Sequence, residues 1–347
     1  MKVLMAGYQA ISILRGGPAT QLHETARHLP ACGVTPALFD PWSPWDASRC
    51  DVFHLFAANV GTYHLAREIH ALGVPLVVSP IIFSRHSPGY VRRWFSMMRV
   101  AQKIGRGFWS DYGFASAICA WSQVVLPNTS AEGTLLKDGL GVDAGKIVVV
   151  PNGVEERFEN ADPDLFRKRY GMRDFILNVG HIGHERKNVL SLIRALGKID
   201  HPAVIIGRVI RGAYGEACVR EASGHKHILL IDGLPHDSPL LASAYAACDV
   251  FVLPSQFETP GIAALEAGLA GAKIVITPNG GTQEYFGTMA EYVDPRSVDS
   301  IREGIVRALQ QKKNTDLRDH IRREFLWQRV AEKTVAAYRR VLDGTAR

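Results

Sequence analysis

Short, wholly apolar runs alternate with amphipathic stretches along this chain. The runs at 3–6, 37–39, 52–56 and 76–78 are followed, after an interval, by a second series at 175–179, 203–206, 227–230, 249–253 and 273–277. Runs that are apolar at nearly every position suit strands covered on both faces. Between them lie stretches of helical period: one after Gly16-Gly17-Pro18, then 62–72, 188–196 and the stretch after Pro260. Pro18 fits the first turn of a helix, and Gly33 fits its end. Strand alternating with helix predicts an open, mainly parallel sheet, and two series predict two sheets. The strand expected at 146–150, the turn Pro151-Asn152-Gly153 and the polar stretch 155–164 read as the end of the first unit and a linker. The expected domains are therefore 1–165 and 166–327. The amphipathic helices of 316–342 have no strand after them, so the last, 328–347, is expected to pack back on the first domain. Two such domains facing each other make a cleft at the carboxyl ends of their strands, where ligands bind in parallel sheets.

A length of 347 residues agrees with two cores rather than one. Hydrophobic residues at 47% and charged residues at 21% are those of an ordinary globular protein. The five cysteines are scattered and form no Cys-x-x-Cys, which points to a reducing compartment and away from a disulfide framework or zinc site. The opening MKVLMAGYQAISILRGG reads as a first strand rather than a signal peptide, because Tyr8, Gln9 and Ser12 interrupt its apolar run. No run of eighteen apolar residues exists to span a membrane. A Gly-x-Gly-x-x-Gly after the first strand is missing, as is the phosphate-loop pattern, which disfavours a nicotinamide dehydrogenase and a phosphate-loop NTPase.

The net charge of +6 is local. Arg85, Arg92, Arg93, Arg99, Lys103 and Arg106 fall within 85–109 with no acid among them, so this segment equals the whole excess. On a helical wheel Arg92, Arg99, Lys103 and Arg106 share one side, and Trp94, Met98, Ala101 and Phe108 the other. Three roles suit such a helix: packing on the first sheet with its charges in water, contact with an anionic membrane, or contact with nucleic-acid phosphates.

The stretch FETPGIAALEAG, 257–268, carries the candidate chemistry. Pro254 to Thr259 take the chain over the end of a strand, Pro260 fits the first helical turn, and Gly271 fits the stop. The free amides of Gly261, Ile262 and Ala263 then form an anion site at a helix N-terminus, with Glu258 at its mouth. Glu266 is expected roughly 12 Å farther along the helix. A nucleoside diphosphate sugar, anionic in the middle and hydroxylated at both ends, has the form to meet all three. Taken singly, each feature has a plainer reading: a solvated face for the glutamates, a turn for Gly16-Gly17, surface charge for Arg186-Lys187-Asn188, and structural roles for His54 and His86.

The setting LPSQFETPGIAALEAGLAG, with seven residues between Glu258 and Glu266, resembles the signature of the family 4 retaining glycosyltransferases. That family has the GT-B fold, two Rossmann-like doubly wound parallel-sheet domains facing a cleft. The likeness extends to Gly16-Gly17, Asp51-Val-Phe-His54, Leu126-Pro-Asn128-Thr-Ser130, Val150-Pro-Asn-Gly153, Asn178-Val-Gly180 and Gly280-Gly281-Thr-Gln-Glu284. It implies catalytic roles for Glu258, Lys187 and Arg186, with Glu258 on the donor sugar, Glu266 on the ribose and Lys187 on the diphosphate. It further implies donor contacts from Gly16, Gly17, Gly180, His181, Gly233, Leu234, Thr259, Pro260, Gly261 and Ile262. Base selection is expected near 233–236, and acceptor contacts at His54, Ser79, His86, Arg92 and Arg99. The family's arginine after Gly180 is replaced by His181, so that either Arg186 substitutes or the diphosphate is held less tightly. Asp162-Pro-Asp164 has the spacing of the metal-binding motif of the other glycosyltransferase fold, but it lies in a proline-bearing stretch with no strand before it, and no metal or cofactor is expected.

The implied activity is metal-independent, retaining transfer from a UDP- or GDP-sugar to a hydroxyl acceptor, a glycan or lipid-linked glycan of surface polysaccharide synthesis. The implied location is the cytoplasm or the inner face of its membrane. Three alternatives stay open: a glycosyltransferase acting on nucleic acid, a nucleotide-sugar epimerase, and a silent sugar-nucleotide-binding protein.

Overall fold

The computed structural model describes residues 1–13, 16–104 and 109–345, without the side chains of 47, 101–104 and 345. The chain forms two compact units, Met1–Gly153 with Trp327–Arg347, and Val154–Leu326.

In the first unit β1 (Lys2–Ala6), β2 (Thr35–Leu38), β3 (Val52–Phe56), β4 (Leu76–Ser79) and β5 (Val124–Val125) form a parallel sheet in the order β2-β1-β3-β4-β5. Every residue of β3 and β4 is buried, as their pattern, apolar at all positions but His54 and Ser79, leads one to expect. The helix Gly17–His28 has Pro18 in its first turn, and Gly33 at φ 77° ends the short helical turn that follows it. The expected strand at 146–150 is a single bridge, Ile147 to Val125, continued by bonds from Val148 N to Val125 O and from Val150 N to Pro127 O. Its partner strand is only two residues long because Pro127 has no N–H to extend the ladder.

The expected boundary at 165 is wrong by twelve residues, since the units divide after Gly153. Val154 donates its N–H to Phe325 O, and Phe158 is fully buried with Phe166, Tyr245 and Phe251 in the second unit's core. Two apolar anchors thus dock a stretch whose charges suggested a linker. The final helix, Trp327–Thr345, belongs to the first unit, where Trp327, Val330, Tyr338 and Val341 share a core with Val3, Val52 and Val77. A Cβ on Gly153 would fall 2.5 Å from the Trp327 ring, so the closing helix requires glycine there.

In the second unit β6 (Ile176–Val179), β7 (Ala203–Ile206), β8 (Ile228–Ile231), β9 (Val250–Leu253), β10 (Lys273–Ile276) and β11 (Ala290–Tyr292) form a parallel sheet in the order β11-β10-β9-β6-β7-β8. Leu177, Val204, Phe251, Leu253 and Ile276 enter one core layer, and Ile176, Ala203, Ile205, Val250 and Val252 the layer on the other face. The sheet is therefore covered on both sides, the doubly wound arrangement, and the two units together are the GT-B fold. The strand order reverses between β6 and β9, which pair at only Ile176↔Val250 and Leu177↔Phe251. Beyond them the Asn178 side chain takes over the ladder, donating from Nδ2 to Val252 O at 2.7 Å. The strands part there, and a crevice opens at the point where such sheets bind ligands. Among the described residues, no helix is long and apolar enough to cross a membrane.

Candidate functional site

The loops after β6 and β9 meet at this crevice. Asn188, at φ 56°, donates from Nδ2 to Pro254 O at 2.9 Å and to Pro295 O at 2.6 Å, so one side chain ties the β6 loop to two others. Gln256 N donates to Arg186 O at 2.8 Å. The backbone of Glu258 is fixed by Asn279 O and Gly281 N, and Gly280, at φ 100°, comes so close that a Cβ would lie 2.1 Å from Glu258 O. Pro260 is not in the first helical turn. The Thr259–Pro260 peptide is cis, Gly261 at φ 86° is the N-cap, and the helix is Ile262–Leu269. Its first two amides, those of Ile262 and Ala263, have no carbonyl one turn back within the helix. Both residues are half-buried, whereas 264–269 are buried.

Glu258 has 7% of its side chain exposed. Its Oε1 takes a bond of 2.6 Å from Lys187 Nζ and one of 2.7 Å from Ser255 Oγ, with Arg186 Nη1 at 3.4 Å. Burial pushes its pKa up, but the charges of Lys187 and Arg186 with the bonds from Lys187 and Ser255 outweigh this and hold it below the ordinary value. The carboxylate is therefore ionised at neutral pH. All these contacts fall on one oxygen; among the described residues Oε2 takes none and is open to a ligand hydroxyl. Lys187 Nζ has three N–H bonds and uses one here, which leaves donors for an anion. Arg186 also donates to Phe257 O at 3.1 Å and stacks over the Phe257 ring.

Glu266 lies on the helix behind. Its Oε1 is 2.7 Å from His236 Nε2, and its Oε2 accepts from the Tyr245 hydroxyl at 2.7 Å. The two glutamates are thus held by separate partner sets rather than along one helix face, because Glu258 precedes the helix. Gly233, at φ 74°, turns the chain after β8, and Leu234 packs on the core beneath, so this loop presents His236 to Glu266.

Gly180 and His181 follow β6, as their motif requires. Burial pushes the His181 pKa down, and His184, Lys187, Arg208 and Arg186 push the same way, so its ring is neutral at physiological pH. Asp162 accepts from Asp164 N at 2.9 Å at the start of the helix Asp164–Tyr170, a local capping arrangement. No group of three His, Cys, Asp or Glu side chains is placed to hold a metal among the described residues.

The expected acceptor residues of the first unit fare differently. His54 and Ser79 are buried, at 1% and 2% exposed, and bonded to each other: His54 Nε2 lies 3.0 Å from Ser79 Oγ and Nδ1 2.6 Å from the Tyr338 hydroxyl. They secure the final helix to the sheet and are closed to an acceptor, a correction that the apolar setting of His54 explains. His86 is exposed and stacks on Tyr90 at 4.5 Å. Arg92 and Arg99 are exposed on the helix Pro88–Ile104, with Trp94 and Met98 turned inward. The Lys103 side chain and Arg106 lie outside the described residues. Gly16, at φ 178°, is ordinary extended backbone, and a Cβ on Gly16 or Gly17 would meet nothing within 4 Å, so packing does not account for these glycines.

Three members of the site escaped the sequence reading. Ser255 stands three residues before Glu258; Tyr245 is the lone aromatic residue in LLASAYAAC; Glu155, whose Oε1 lies 3.7 Å from His236 Nδ1, stands in the supposed linker.

Residues 165–324 match the family described as Glycosyl transferases group 1. The chain is 30% identical over 195 residues to an uncharacterised glycosyltransferase of Methanocaldococcus jannaschii, covering 51% of this chain and 48% of that one. It is 29% identical over 243 residues to the D-inositol 3-phosphate glycosyltransferase of Geodermatophilus obscurus, covering 64% and 53%. The chain thus spans about half the length of these relatives. The sucrose-phosphate synthase structure from Thermosynechococcus elongatus superimposes with a TM-score of 0.76 over 99% of this chain and 100% of that one, at 16% identity, a likeness of fold.

Proposed function

We propose, for a chain whose residues 165–324 match the family described as Glycosyl transferases group 1, a metal-independent transfer of a sugar from a UDP- or GDP-sugar to a hydroxyl acceptor, with retention at the anomeric carbon. The observation that carries this reading is the Glu258 cluster: an ionised, buried carboxylate with one oxygen gripped by Lys187 and Ser255 and the other open, at the switch point of a doubly wound sheet. In this reading Glu258 Oε2 accepts from hydroxyls of the transferred sugar and faces the positive charge that develops there. Lys187, Arg186 and the amides of Ile262 and Ala263 take the diphosphate. The acceptor oxygen attacks from the face the diphosphate leaves, the bond from anomeric carbon to diphosphate oxygen breaks, and the acceptor proton passes to the departing phosphate. Stabilising that anion with groups already in place is where such a site gains most of its rate. Glu266 holds the ribose.

The acceptor reading is a glycan or lipid-linked glycan met at an anionic membrane face. What supports it is a second row on the helix Pro88–Ile104, where Tyr90, Met97 and Val100 are exposed beside Arg92, Arg93 and Arg99. Apolar side chains interleaved with cations suit an anionic lipid surface better than nucleic acid alone. Incubation with UDP- and GDP-sugars, with and without EDTA, tests the reaction. Released nucleoside diphosphate that persists with EDTA and rises with acceptor is expected; restoration by Mn or Mg after complete loss on chelation would count against it, as would sugar isomerisation without acceptor. Vesicles with anionic lipid should capture the protein, and neutral vesicles should not.

A further inference from the structure

The loop after β8 carries a histidine that no step of this transfer uses. His236 has 51% of its side chain exposed, yet its ring is held on several sides. Nε2 lies 2.7 Å from Glu266 Oε1, and Nδ1 lies 3.7 Å from Glu155 Oε1. Arg157 donates to the His236 carbonyl at 2.6 Å, and the Phe158 ring meets the imidazole edge-on at 6.0 Å between centroids. Arg157 is itself placed by Glu155 Oε2 at 3.2 Å and by the face of Phe158 at 4.0 Å. The segment that opens the second unit is thus a seat for His236, and His236 and Tyr245 together engage both oxygens of Glu266. Each carboxylate oxygen accepts along two directions, so Glu266 keeps one free direction per oxygen while its plane is fixed. A carboxylate already fixed loses little freedom when it accepts two neighbouring hydroxyls, and that raises affinity.

We infer that His236 is a positioning residue: held between Glu266 and Glu155, it keeps the Glu266 carboxylate in the plane that meets the ribose hydroxyls of a nucleoside diphosphate. The inference rests on the reading of Glu266 as the ribose carboxylate. A ring with a carboxylate at each nitrogen is best satisfied as the imidazolium, a donor at both. The bond from Glu266 raises the His236 pKa, burial lowers it, the Glu266 charge raises it, Arg157 lowers it and Glu155 raises it, with a net shift above 6.5. Tyr245, the other partner of Glu266, stays protonated because burial and the Glu266 charge push its hydroxyl far up. With the folded pKa raised, the charge-assisted grip is complete below 6.5 and weakens to a neutral N–H bond from Nε2 to Glu266 as pH rises through the shifted value, where Nδ1 turns a lone pair toward Glu155.

The test is calorimetry of UDP and GDP, and of the 2′,3′-dideoxy analogue of whichever binds, across the histidine range, on the wild type and on His236→Phe, His236→Gln and Glu155→Gln. Wild-type Kd for the ribonucleotide should rise as pH passes through the raised His236 value. His236→Phe should weaken the ribonucleotide by about tenfold at the acid end, the size of one charge-assisted hydrogen bond, and remove that part of the pH dependence. His236→Gln, which still has an N–H for Glu266, should recover most of the affinity without the pH dependence, and Glu155→Gln should move the break to lower pH. The dideoxy analogue, which lacks the hydroxyls, should be indifferent to all three changes. Equal weakening of both nucleotides by His236→Phe, or none of either, overturns the inference while the donor reading stands. A wild type that binds no nucleoside diphosphate overturns both.

Discussion

Two histidines in this molecule each bond a tyrosine hydroxyl or that hydroxyl's partner, and their settings lead to opposite uses. His54 lies between Tyr338 and Ser79 at 1% exposure, and burial pushes its pKa down to about 3, so the ring is neutral and every partner is a hydroxyl inside the first unit. His236 lies between Glu266 and Glu155 with half its side chain in water, and its pKa is raised. The first cluster has no charge and no opening, its three residues being at most 2% exposed; what it joins is the final helix to β3 and β4. The second has two carboxylates, an opening and acceptor directions to spare. Burial of a polar group marks neither structure nor function alone; what distinguishes the two is whether the bonds close among themselves. Glu258, buried but with Oε2 open, falls on the side of the second.

The largest effect that could break this contrast is at Glu258. Glu258→Gln keeps the shape and the Ser255 contact but removes the charge that in the proposed function faces the sugar, so kcat should fall by about 100-fold or more, with smaller change in donor KM. An unchanged kcat would put Glu258 with His54 as a structural group. The same variant has a pH signature. Because the folded pKa of Glu258 is held below 4.5, its charge stabilises the fold above that value and ceases to as pH falls through the depressed pKa. The wild type's advantage in thermal stability over Glu258→Gln should therefore shrink in acid.

Next is the closed cluster. Tyr338→Phe leaves the buried His54 Nδ1 without its partner and should cost about 1–3 kcal/mol of stability, read by denaturant melts. Donor affinity should not move. The wild type should also lose stability as pH falls from 6.5 toward 3, since the unfolded chain takes a proton that buried His54 refuses. A Tyr338→Phe variant of normal stability with altered transfer would show that the His54 cluster is not closed.

The sequence carried these distinctions unevenly. Strands buried on both faces are legible because every residue is apolar, as in β9, or all but the first, as in β10, and the two glutamates are legible because charge is costly in such a setting. His54 was readable as buried from its neighbours in Val52–Phe56, a strand otherwise apolar throughout. The segment 154–165 was misread because Glu155, Glu156 and Arg157 outnumber its anchors Val154 and Phe158, and composition does not weigh one buried ring against several solvated charges. Tyr245 was invisible for a different reason: in a helix of small apolar residues a tyrosine reads as a space-filler, and only the fold shows its hydroxyl against Glu266.

A smaller effect is expected at Glu266. With Glu266 on the ribose, as proposed, Glu266→Gln removes a contact made equally in ground and transition states, so donor KM should rise by about tenfold with kcat little changed. A defect confined to kcat would exchange the roles of the two glutamates. Loss of the Glu266 charge should also lower the His236 pKa in this variant, leaving Glu155 as the remaining upward influence, because the bond and the charge of Glu266 both raise it.

The smallest effect is at His181, where the open region departs from the family pattern that the sequence resembles. The ring is kept neutral by burial and by four neighbouring cationic or titratable side chains, so at neutral pH it adds no charge toward the diphosphate. A bound dianion reverses that balance by favouring the imidazolium, so part of the binding energy is spent on taking up a proton that an arginine would already have. His181→Arg should therefore tighten nucleoside diphosphate binding by a few fold, on the order of one partly screened charge contact, and the gain should grow with pH because the wild type takes up its proton less readily there. Kd for the diphosphate at two pH values on either side of neutrality, with nucleoside monophosphate as control, measures it. The monophosphate carries less charge for the arginine to meet and should gain less. A gain equal for both nucleotides and independent of pH would place His181 away from the diphosphate, leaving Lys187 and Arg186 as its side-chain cations.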